Sequence, residues 1–161
     1  YNYVDDYDRF WYTPNDNSDW TQLSVSIPAD SISHNSYKLP ATVLSTAVAP
    51  VNASAPLVIK MEETEEQSDQ FYVYLHFMEI QELAKNQTRE FSITLNGKPW
   101  NQNFSPRYLI ATTIYNPLAT SWKEIQFSIE MTQNSTLPPI INAIEIYRVL
   151  DFQQSDTFQG D

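Results

Sequence analysis

The residues best suited to ligand chemistry are aromatic side chains that alternate along the segment FYVYLHFME (71–79). Tyr72, Tyr74 and His76 share one face of that segment, and apolar residues occupy the other. An aromatic ring stacks on the flat C–H face of a sugar, and nearby amide or carboxylate groups bind the hydroxyls. The predicted ligand-binding residues are Tyr72, Tyr74, Trp100, Tyr108 and Trp122, with Tyr115 in the same class. The structural alternative is that the tyrosines pack under a loop and the tryptophans cap the core.

Signatures of catalysis are scarce in the sequence. Its two glycines cannot form a phosphate-binding loop or a nucleophile elbow, and its two histidines, His34 and His76, are not at metal-ligand spacing. With no cysteine, the chain has no thiolate zinc site and no disulfide. A glycosidase would need two carboxylates across a cleft, and the sequence places no pair at that separation. We therefore predict no catalytic residue, no metal and no cofactor, and interpret the chain as a binding module.

The charge of the chain argues against two classes of partner. Nine basic residues stand against twenty acidic ones, which gives a net charge of −11. A nucleic-acid site needs a basic patch, and docking on an anionic membrane surface needs basic residues as well. No apolar run approaches the ~18 residues of a membrane-spanning helix. We therefore expect no nucleic-acid partner and no direct membrane insertion of this segment.

Four asparagines fit the N-glycosylation acceptor pattern, and each lies where a loop or a strand end is predicted. They are Asn52, Asn86, Asn103 and Asn134. Acceptor sites of this kind are modified in secreted proteins. The pattern therefore predicts N-linked glycans on these side chains and passage through a secretory pathway.

The elements that would position these residues are short strands. Apolar residues alternate with a period of two in 71–79, 89–95 and 124–131, which is the pattern of half-buried strands. The run 140–149 is apolar on both faces and is therefore predicted to be a central strand. The weaker strand candidates are 20–27, 42–49, 57–61 and 108–115.

Turn residues separate these runs. Prolines fall between them or at their ends, and Asn96-Gly97 predicts a type I′ hairpin turn, since both of its central positions need φ > 0. The acidic stretch 61–69 is interpreted as a solvated turn. The only helix candidate, 78–85, would have at most two turns and is equally compatible with an ordered loop. Many short strands without crossover helices predict an all-β fold, an antiparallel β-sandwich of the jelly-roll type.

Strand parity also predicts one ion pair. Counting by twos, Glu79 ends the apolar row that begins at Phe71, and Arg89 ends the row that begins at Leu95. Both rows point into one core whether the two strands form a hairpin or lie in opposite sheets. We therefore expect Glu79 and Arg89 to form a structural ion pair at the margin of the core. The alternative is that Glu79 binds a sugar or acts as a catalytic acid.

Several blocks, in order along nearly the whole chain, resemble the malectin-like domain of plant leucine-rich-repeat receptor kinases. They are DDYDRFW (5–11), FYVYLHFMEIQ (71–81), NQTREFSITLNGKPW (86–100), FSPRYL (104–109) and NSTLPPIINAIEIYRV (134–149). The first and last blocks are similar to the second, C-terminal sandwich of the two that the family carries in tandem. The resemblance implies a malectin-like β-sandwich over 1–150 and the start of a linker toward leucine-rich repeats over 151–161. It also implies a parent protein with an intracellular Ser/Thr kinase.

The resemblance implies a role on the extracellular, apoplastic side of the plasma membrane, within a single-pass membrane protein. The chain would then be a ligand-recognition module that senses a cell-wall carbohydrate or a secreted peptide. The alternative is a structural module that assembles with co-receptor ectodomains and binds no small ligand itself. The resemblance predicts the fold better than the ligand, because binding residues lie on loops that diverge among relatives.

Overall fold

The structure, a computed structural model, describes residues 5, 7–12, 18–61, 70–121 and 124–150. Almost all of its regular structure is β-strand. In chain order the strands are β1 (Trp20–Ser24), β2 (Thr46–Pro50), β3 (Leu57–Met61), β4 (Gln70–Phe77), β5 (Phe91–Leu95), β6 (Lys98–Phe104), β7 (Thr112–Tyr115), β8 (Thr120–Ser121), β9 (Ile125–Met131) and β10 (Ala143–Arg148). A 3₁₀ turn covers Ala29–Ser31, and one short helix, α1, covers Ala41–Leu44.

The strands form two antiparallel sheets with a shared core. One sheet has the order β10-β4-β7, with β8 also paired to β4, and the other has the order β3-β9-β5-β6. Strands β1 and β2 form a separate pair. The inward rows of the two sheets are buried: Phe71, Val73, Leu75 and Phe77 of β4, Phe91 and Ile93 of β5, and Phe127 and Ile129 of β9. The predicted all-β, antiparallel fold is confirmed.

The rows of β4 and β5 meet across the core because the two strands lie in opposite sheets. Phe77 and Phe91 are both fully buried, and their ring centroids are 5.3 Å apart. Of the two arrangements that strand parity left open, the hairpin is therefore wrong and the facing sheets are right. The ends of the two rows converge at the margin of the same core.

The Asn96-Gly97 hairpin is confirmed. Asn96 has φ 49° and Gly97 has φ 74°, and Leu95 pairs with Lys98 across the turn between β5 and β6. The Asn96 side chain adds two bonds, from its Nδ2 to Glu124 O at 2.7 Å and from Gln126 N to its Oδ1 at 2.8 Å. The turn is thus tied to the start of β9 as well.

Of the two interpretations of 78–85, the ordered loop is right and the helix is wrong. This part of the chain has no helix, because its backbone pairs with another segment: Glu79 N donates to Arg107 O, and Leu109 N donates to Glu79 O. Helix α1 instead begins directly after Pro40 and overlaps the start of the predicted strand 42–49, so the strand starts only at Thr46.

The prediction that 140–149 is a central strand is also wrong. Strand β10 is at the end of its sheet, and Tyr147 is 46% exposed. The apolar residues Ile140 and Ile141, which made the run look buried on both faces, belong to the preceding connection. Most of the acidic stretch 61–69, and the whole of 151–161, lie outside the described residues. No helix in the described ranges is long and apolar enough to cross a membrane.

Candidate functional site

The outer face of the sheet β10-β4-β7 carries a cluster of tyrosines. In the sheet register Tyr74 of β4 lies between Glu145 of β10 and Tyr115 of β7, and Tyr72 lies opposite Tyr147. Directly opposed residues project from the same face of a sheet. These side chains therefore project away from the core, because the alternate residues of β4 fill it.

Two further segments lie over this face and enclose a groove of about 490 Å³. The walls come from the N-terminal segment and from the connection before α1. The groove is lined by Tyr7, Arg9, Ser36, Tyr37, Tyr74, Glu145 and Tyr147. We refer to these seven residues as the tyrosine groove. Four of them are tyrosines, so aromatic surface dominates the lining.

The tyrosine rings pack on each other at several angles. Tyr74 stacks on Tyr115 with an interplanar angle of 18° and a centroid distance of 5.6 Å. It meets Tyr147 edge-on at 82° and Tyr37 at 57°, with centroids 5.7 and 5.5 Å apart. Such contacts are worth about 0.5–1.5 kcal/mol each beyond the buried area. The cluster is therefore a preformed surface and not a set of independent rotamers.

Glu145 is the buried carboxylate that joins the walls of the groove. Its Oε1 lies 3.0 Å from Arg9 Nη1 and 3.1 Å from His76 Nε2, and its Oε2 accepts a hydrogen bond from the Tyr147 hydroxyl. Burial acts to raise the pKa of Glu145, but His76, Tyr147 and Arg9 outweigh it, so the pKa lies below its usual value. Burial, the bond to Glu145 and the carboxylate charge raise the pKa of Tyr147 to about 12.

His76 lies beneath the cluster and is only 1% exposed. Its Nδ1 is 2.9 Å from Thr113 Oγ1, and its ring meets Tyr37 edge-on at 5.6 Å. Although Nε2 is close to Glu145, no hydrogen-bond partner is aligned with it among the described residues. The contact between Nε2 and Glu145 is therefore close but is not a directed hydrogen bond.

The N-terminal wall is held in place by Arg9. Its Nη1 and Nη2 donate to the carbonyl oxygens of Tyr37 and Lys38, at 3.2 and 2.7 Å. Its Nε donates to Asp5 Oδ2, and its guanidinium lies 5.3 Å from the Tyr7 ring centroid. Arg9 thus links the N-terminal segment, the connection before α1 and strand β10.

The groove offers ring faces and hydroxyl groups to a ligand. Tyr7 is 54% exposed, and Tyr147 is 46% exposed. Glu145 is itself buried, and both of its oxygens have partners, so it orients the walls and is not an open ligand group. Within the described ranges, no group of three or more His, Asp or Glu side chains could hold a metal ion. The arrangement suits stacking and hydrogen bonding.

The predicted ligand residues are distributed unevenly. Tyr74 lines the groove, and Tyr72 is half-buried beside it on the same face. Tyr108 is 48% exposed on a different connection, where it forms a bridge with Glu79. Trp100 packs on the buried Phe127 at 5.2 Å and lines a second groove next to the Asn96-Gly97 turn. Trp122 lies outside the described residues.

Comparison with known proteins identifies the family. The protein-family model described as the malectin-like domain matches residues 2–149 of the chain. The chain belongs to the malectin-like domain family. The Arabidopsis thaliana protein described as probable LRR receptor-like protein kinase At1g51890 is 42% identical over 160 residues, which are 98% of this chain and 18% of that protein. The chain thus spans less than a fifth of this relative.

Two solved structures show the same fold as this malectin-like domain. The ANX2 ectodomain from Arabidopsis thaliana superposes with a TM-score of 0.65 at 18% identity, over 89% of this chain and 45% of that one. The crystal structure of plant peptide RALF23 in complex with FER and LLG2 gives a TM-score of 0.61 at 17% identity, over 88% and 43%. At these identities the likeness establishes the fold alone. The family model that matches this chain is that of a malectin-like domain and not that of a catalytic domain.

Sequence reasoning missed most of the groove in this malectin-like domain. The sequence does not indicate a binding role for four of the groove residues, because they come from segments that are distant in sequence: Arg9, Tyr37, Glu145 and Tyr147. One usable signal was available in β10, where Glu145 and Tyr147 alternate with two isoleucines. The charged Glu145 marks the outer face of that strand, and the register then brings it to Tyr74.

The four glycosylation acceptors of this malectin-like domain are all exposed. Asn86 and Asn134 lie on two connections that contact each other: Thr88, two residues after Asn86, donates from its Oγ1 to Asn134 O at 2.7 Å. Asn103 is on β6, and Asn52 is between β2 and β3. None of the four belongs to the tyrosine groove or to the strands beneath it.

Glu79 and Arg89, the residues expected to pair at the core margin, are in contact. Arg89 Nε lies 2.6 Å from Glu79 Oε2, and each side chain is 2% exposed. Arg89 Nη2 donates to Gln81 Oε1 at 2.8 Å, and Gln81 N donates to Glu79 Oε1 at 3.0 Å. Its structural role, as opposed to a role in ligand binding, stays a prediction.

Proposed function

We propose that the chain is an extracellular ligand-recognition module of a plant receptor-like kinase, and that its ligand binds in the tyrosine groove. The ligand would be a cell-wall carbohydrate or a secreted peptide. The single observation that carries the proposal is the preformed cluster of tyrosines around Glu145 on the outer face of a sheet. The rings that hold the covering segments on the sheet also line an open groove, and exposed aromatic surface of this kind is typical of a binding site.

The chemistry of the groove fits both ligand classes. A sugar ring would stack on Tyr74 or Tyr147 and hydrogen-bond to the tyrosine hydroxyls and Ser36. A peptide would place an apolar or aromatic side chain between the same rings. Exposed stacking sites with few polar contacts bind weakly, because little remains after the entropic cost of association.

The positions of the glycosylation acceptors support this choice of face. Attached glycans would cover the Asn86 and Asn134 end of the molecule and the β6 edge at Asn103. The groove carries no acceptor of its own. A ligand would therefore have access to this face in a fully glycosylated protein.

In the full-length protein this module would stand outside the plasma membrane, in a single-pass receptor with an intracellular kinase. This setting is inferred from relatives described as receptor-like kinases. We also propose that the chain is the second sandwich of a tandem. The blocks DDYDRFW and NAIEIYRV resemble that sandwich, and the matched part of the ANX2 ectodomain is less than half of its length.

Calorimetric titration tests the proposal, with cell-wall oligosaccharides and secreted peptides as probes. We expect binding to the parent chain, and a loss of at least about tenfold in affinity, or 1.4 kcal/mol, for Tyr74→Ala. Tyr108→Ala is the control, since Tyr108 is an exposed tyrosine outside the groove. Equal losses for both variants, or binding by Tyr74→Ala at the parental affinity, would place the ligand elsewhere.

A second candidate function is assembly with other ectodomains without a small ligand. It is favoured by the structure of FER with RALF23 and LLG2, in which a protein of this fold is part of a complex of polypeptides. Under this proposal the chain would bind a co-receptor ectodomain and neither class of small probe. Sedimentation of the chain mixed with candidate ectodomains distinguishes the two functions.

A further inference from the structure

Strand β10 contributes Glu145 and Tyr147 to the tyrosine groove. No strand of the described residues lies along its second edge, which we call the unused edge. The strand pairs with β4 on one side from Ala143 to Arg148. On the other side, Ile141, just before the strand, forms a bridge with Val48 of β2. Among the described residues, no strand or bridge pairs with Ile144 or Ile146 on that side.

The register shows which backbone groups face the unused edge. Val149 N donates to Gln70 O, so residues at even spacing from Val149, including Tyr147 and Glu145, direct their backbone groups to β4. The backbone N–H and C=O of Ile144 and Ile146 then point away from β4. Within the described part of the chain, neither residue has a backbone bond outside the β4 ladder.

The side chains at this edge are also uncovered. Ile146 is opposite Val73, on the core-facing side of the sheet, yet it is 36% exposed. Leu150, directly after the strand, is also exposed. A second strand laid along β10 would cover Ile146 on one face and reach the groove on the other.

Another edge of the fold is protected in the ways that sheet edges usually are. Strand β6 ends the second sheet, and it carries Lys98, Pro99 and the glycosylation acceptor Asn103. Lysine and proline hinder the addition of a further strand. The run Ala143–Tyr147 of β10 has neither residue and no acceptor asparagine.

We propose that β10 is a docking edge on which an extended segment of a partner polypeptide adds as a strand, with alternate side chains entering the tyrosine groove. This inference rests on the proposed function, and it selects a peptide over a carbohydrate as the ligand class. Main-chain bonds to Ile144 and Ile146 supply affinity, and the groove supplies specificity. The outward backbone groups of Ile144 and Ile146, which have no partner among the described residues, fit an extended polypeptide, and a sugar cannot satisfy them in register.

The two faces of the added strand would meet different surroundings. Residues on the groove side contact Tyr147 and Tyr74, so aromatic or proline side chains fit there. Residues on the opposite side contact Ile146, so small apolar side chains fit there. The expected partner sequence therefore alternates aromatic and aliphatic residues over a few positions.

Hydrogen exchange tests the edge without any ligand. In the free chain we expect the Ile146 amide to exchange at least about tenfold faster than the Tyr147 amide, which bonds within the ladder to β4. Equal protection of the two amides would mean that the edge is already paired, and it would overturn the proposal.

Ile146→Pro tests the docking mode, because proline is tolerated where a strand N–H points outward but cannot donate to an added strand. Ile146→Val is the matched control, since it keeps the amide and most of the side chain. The probe is an array of extended peptides of about ten residues with alternating aromatic and aliphatic positions. We expect binding to the parent and to Ile146→Val, and at least about tenfold weaker binding to Ile146→Pro.

The outcomes separate this inference from the proposed function. If peptides bind Ile146→Pro as tightly as the parent but bind Tyr74→Ala more weakly, the groove remains the binding site and strand addition is wrong. Binding of oligosaccharides without binding of peptides would also leave the groove as the site and overturn strand addition. If Ile146→Pro does not fold, N-methylation of alternate residues in a bound peptide replaces it: unchanged affinity for every methylated position also overturns strand addition.

Discussion

Arg89 Nε donates to Glu79 Oε2 at 2.6 Å, and this bond joins the end of β4 to the start of β5 in the opposite sheet. Both side chains are buried, and the remaining groups of the guanidinium have partners: Nη1 donates to Pro138 O and Nη2 to Gln81 Oε1. A buried pair adds little net stability over an apolar replacement, but an uncompensated buried charge is costly. The pair therefore makes the two sheets depend on each other at this end of the core.

Removal of one partner of this pair should destabilise the fold clearly. For Arg89→Met or Glu79→Gln we expect a loss of about 3–5 kcal/mol in the free energy of unfolding, because one buried group is left without its partner. Urea denaturation of the two variants measures the loss. Glu82→Gln is the control, since Glu82 is an exposed carboxylate on the same connection.

The same variants test the alternative that Glu79 is a ligand residue. Under the structural interpretation, the double variant Glu79→Gln/Arg89→Met loses less than the sum of the single variants. Parental stability of Glu79→Gln, together with lost ligand binding, would reassign Glu79 to a binding site.

The Glu79–Arg89 pair could be anticipated from the sequence because it depends only on local parity. Counting by twos along each strand gives the face of every residue, and both apolar rows had to enter the core. The core rows and the Asn96-Gly97 turn were predictable for the same reason. The loop conformation of 78–85 was not predictable, because the backbone of Glu79 bonds to Arg107 and Leu109, which are distant in sequence.

The tyrosine groove could not be derived in this way. It needs the register of β10 on β4 and two segments that lie over the sheet, and no local pattern encodes those distances. The sequence predicts Tyr74 as a ligand residue because it shares a face with Tyr72. It hides Glu145 and Tyr147, because Ile141, Ala143 and Val149 at the same parity make β10 look buried on both faces.

Gly97 is the position where the fold depends most directly on a glycine. Its φ is 74°, and a Cβ built there would meet nothing within 4 Å. Gly97→Ala should therefore cost only the backbone strain of a left-handed conformation, about 1–2 kcal/mol. Chemical denaturation measures this loss in the free energy of unfolding. Asn96→Gly is a useful comparison, since it keeps the turn conformation but removes the side-chain bonds to Glu124 and Gln126. An unchanged stability of Gly97→Ala would mean that the turn is not type I′ in solution.

The four exposed acceptor asparagines should carry glycans after secretion from a eukaryotic cell. Intact mass before and after enzymatic removal of N-glycans gives the number attached, and Asn→Gln variants at 52, 86, 103 and 134 assign them one by one. We expect most of the sites to be occupied. A mass that does not change on deglycosylation would contradict both the glycosylation sites and the secretory placement.

The anchoring of the N-terminal wall should be lost at acid pH through Asp5. Its Oδ1 accepts from the backbone N–H of Tyr7 and Arg9 at 2.9 and 3.0 Å, and its Oδ2 accepts from the Trp11 indole at 3.1 Å. Burial acts to raise the pKa of Asp5, but these bonds and the Arg9 guanidinium lower it from 3.8 to about 2.

Because the folded pKa is below the unfolded one, Asp5 stabilises the fold fully above about pH 4. That contribution disappears as the pH falls from about 4 to about 2. Melting temperatures measured from pH 7 down to pH 2 should therefore fall less steeply for Asp5→Asn than for the parent. The lowered pKa of Glu145 acts in the same direction, so part of the decline should remain in the variant. Asp8→Asn is the control, since Asp8 is exposed in the same segment. Identical slopes for the parent and Asp5→Asn would show that Asp5 does not hold the wall.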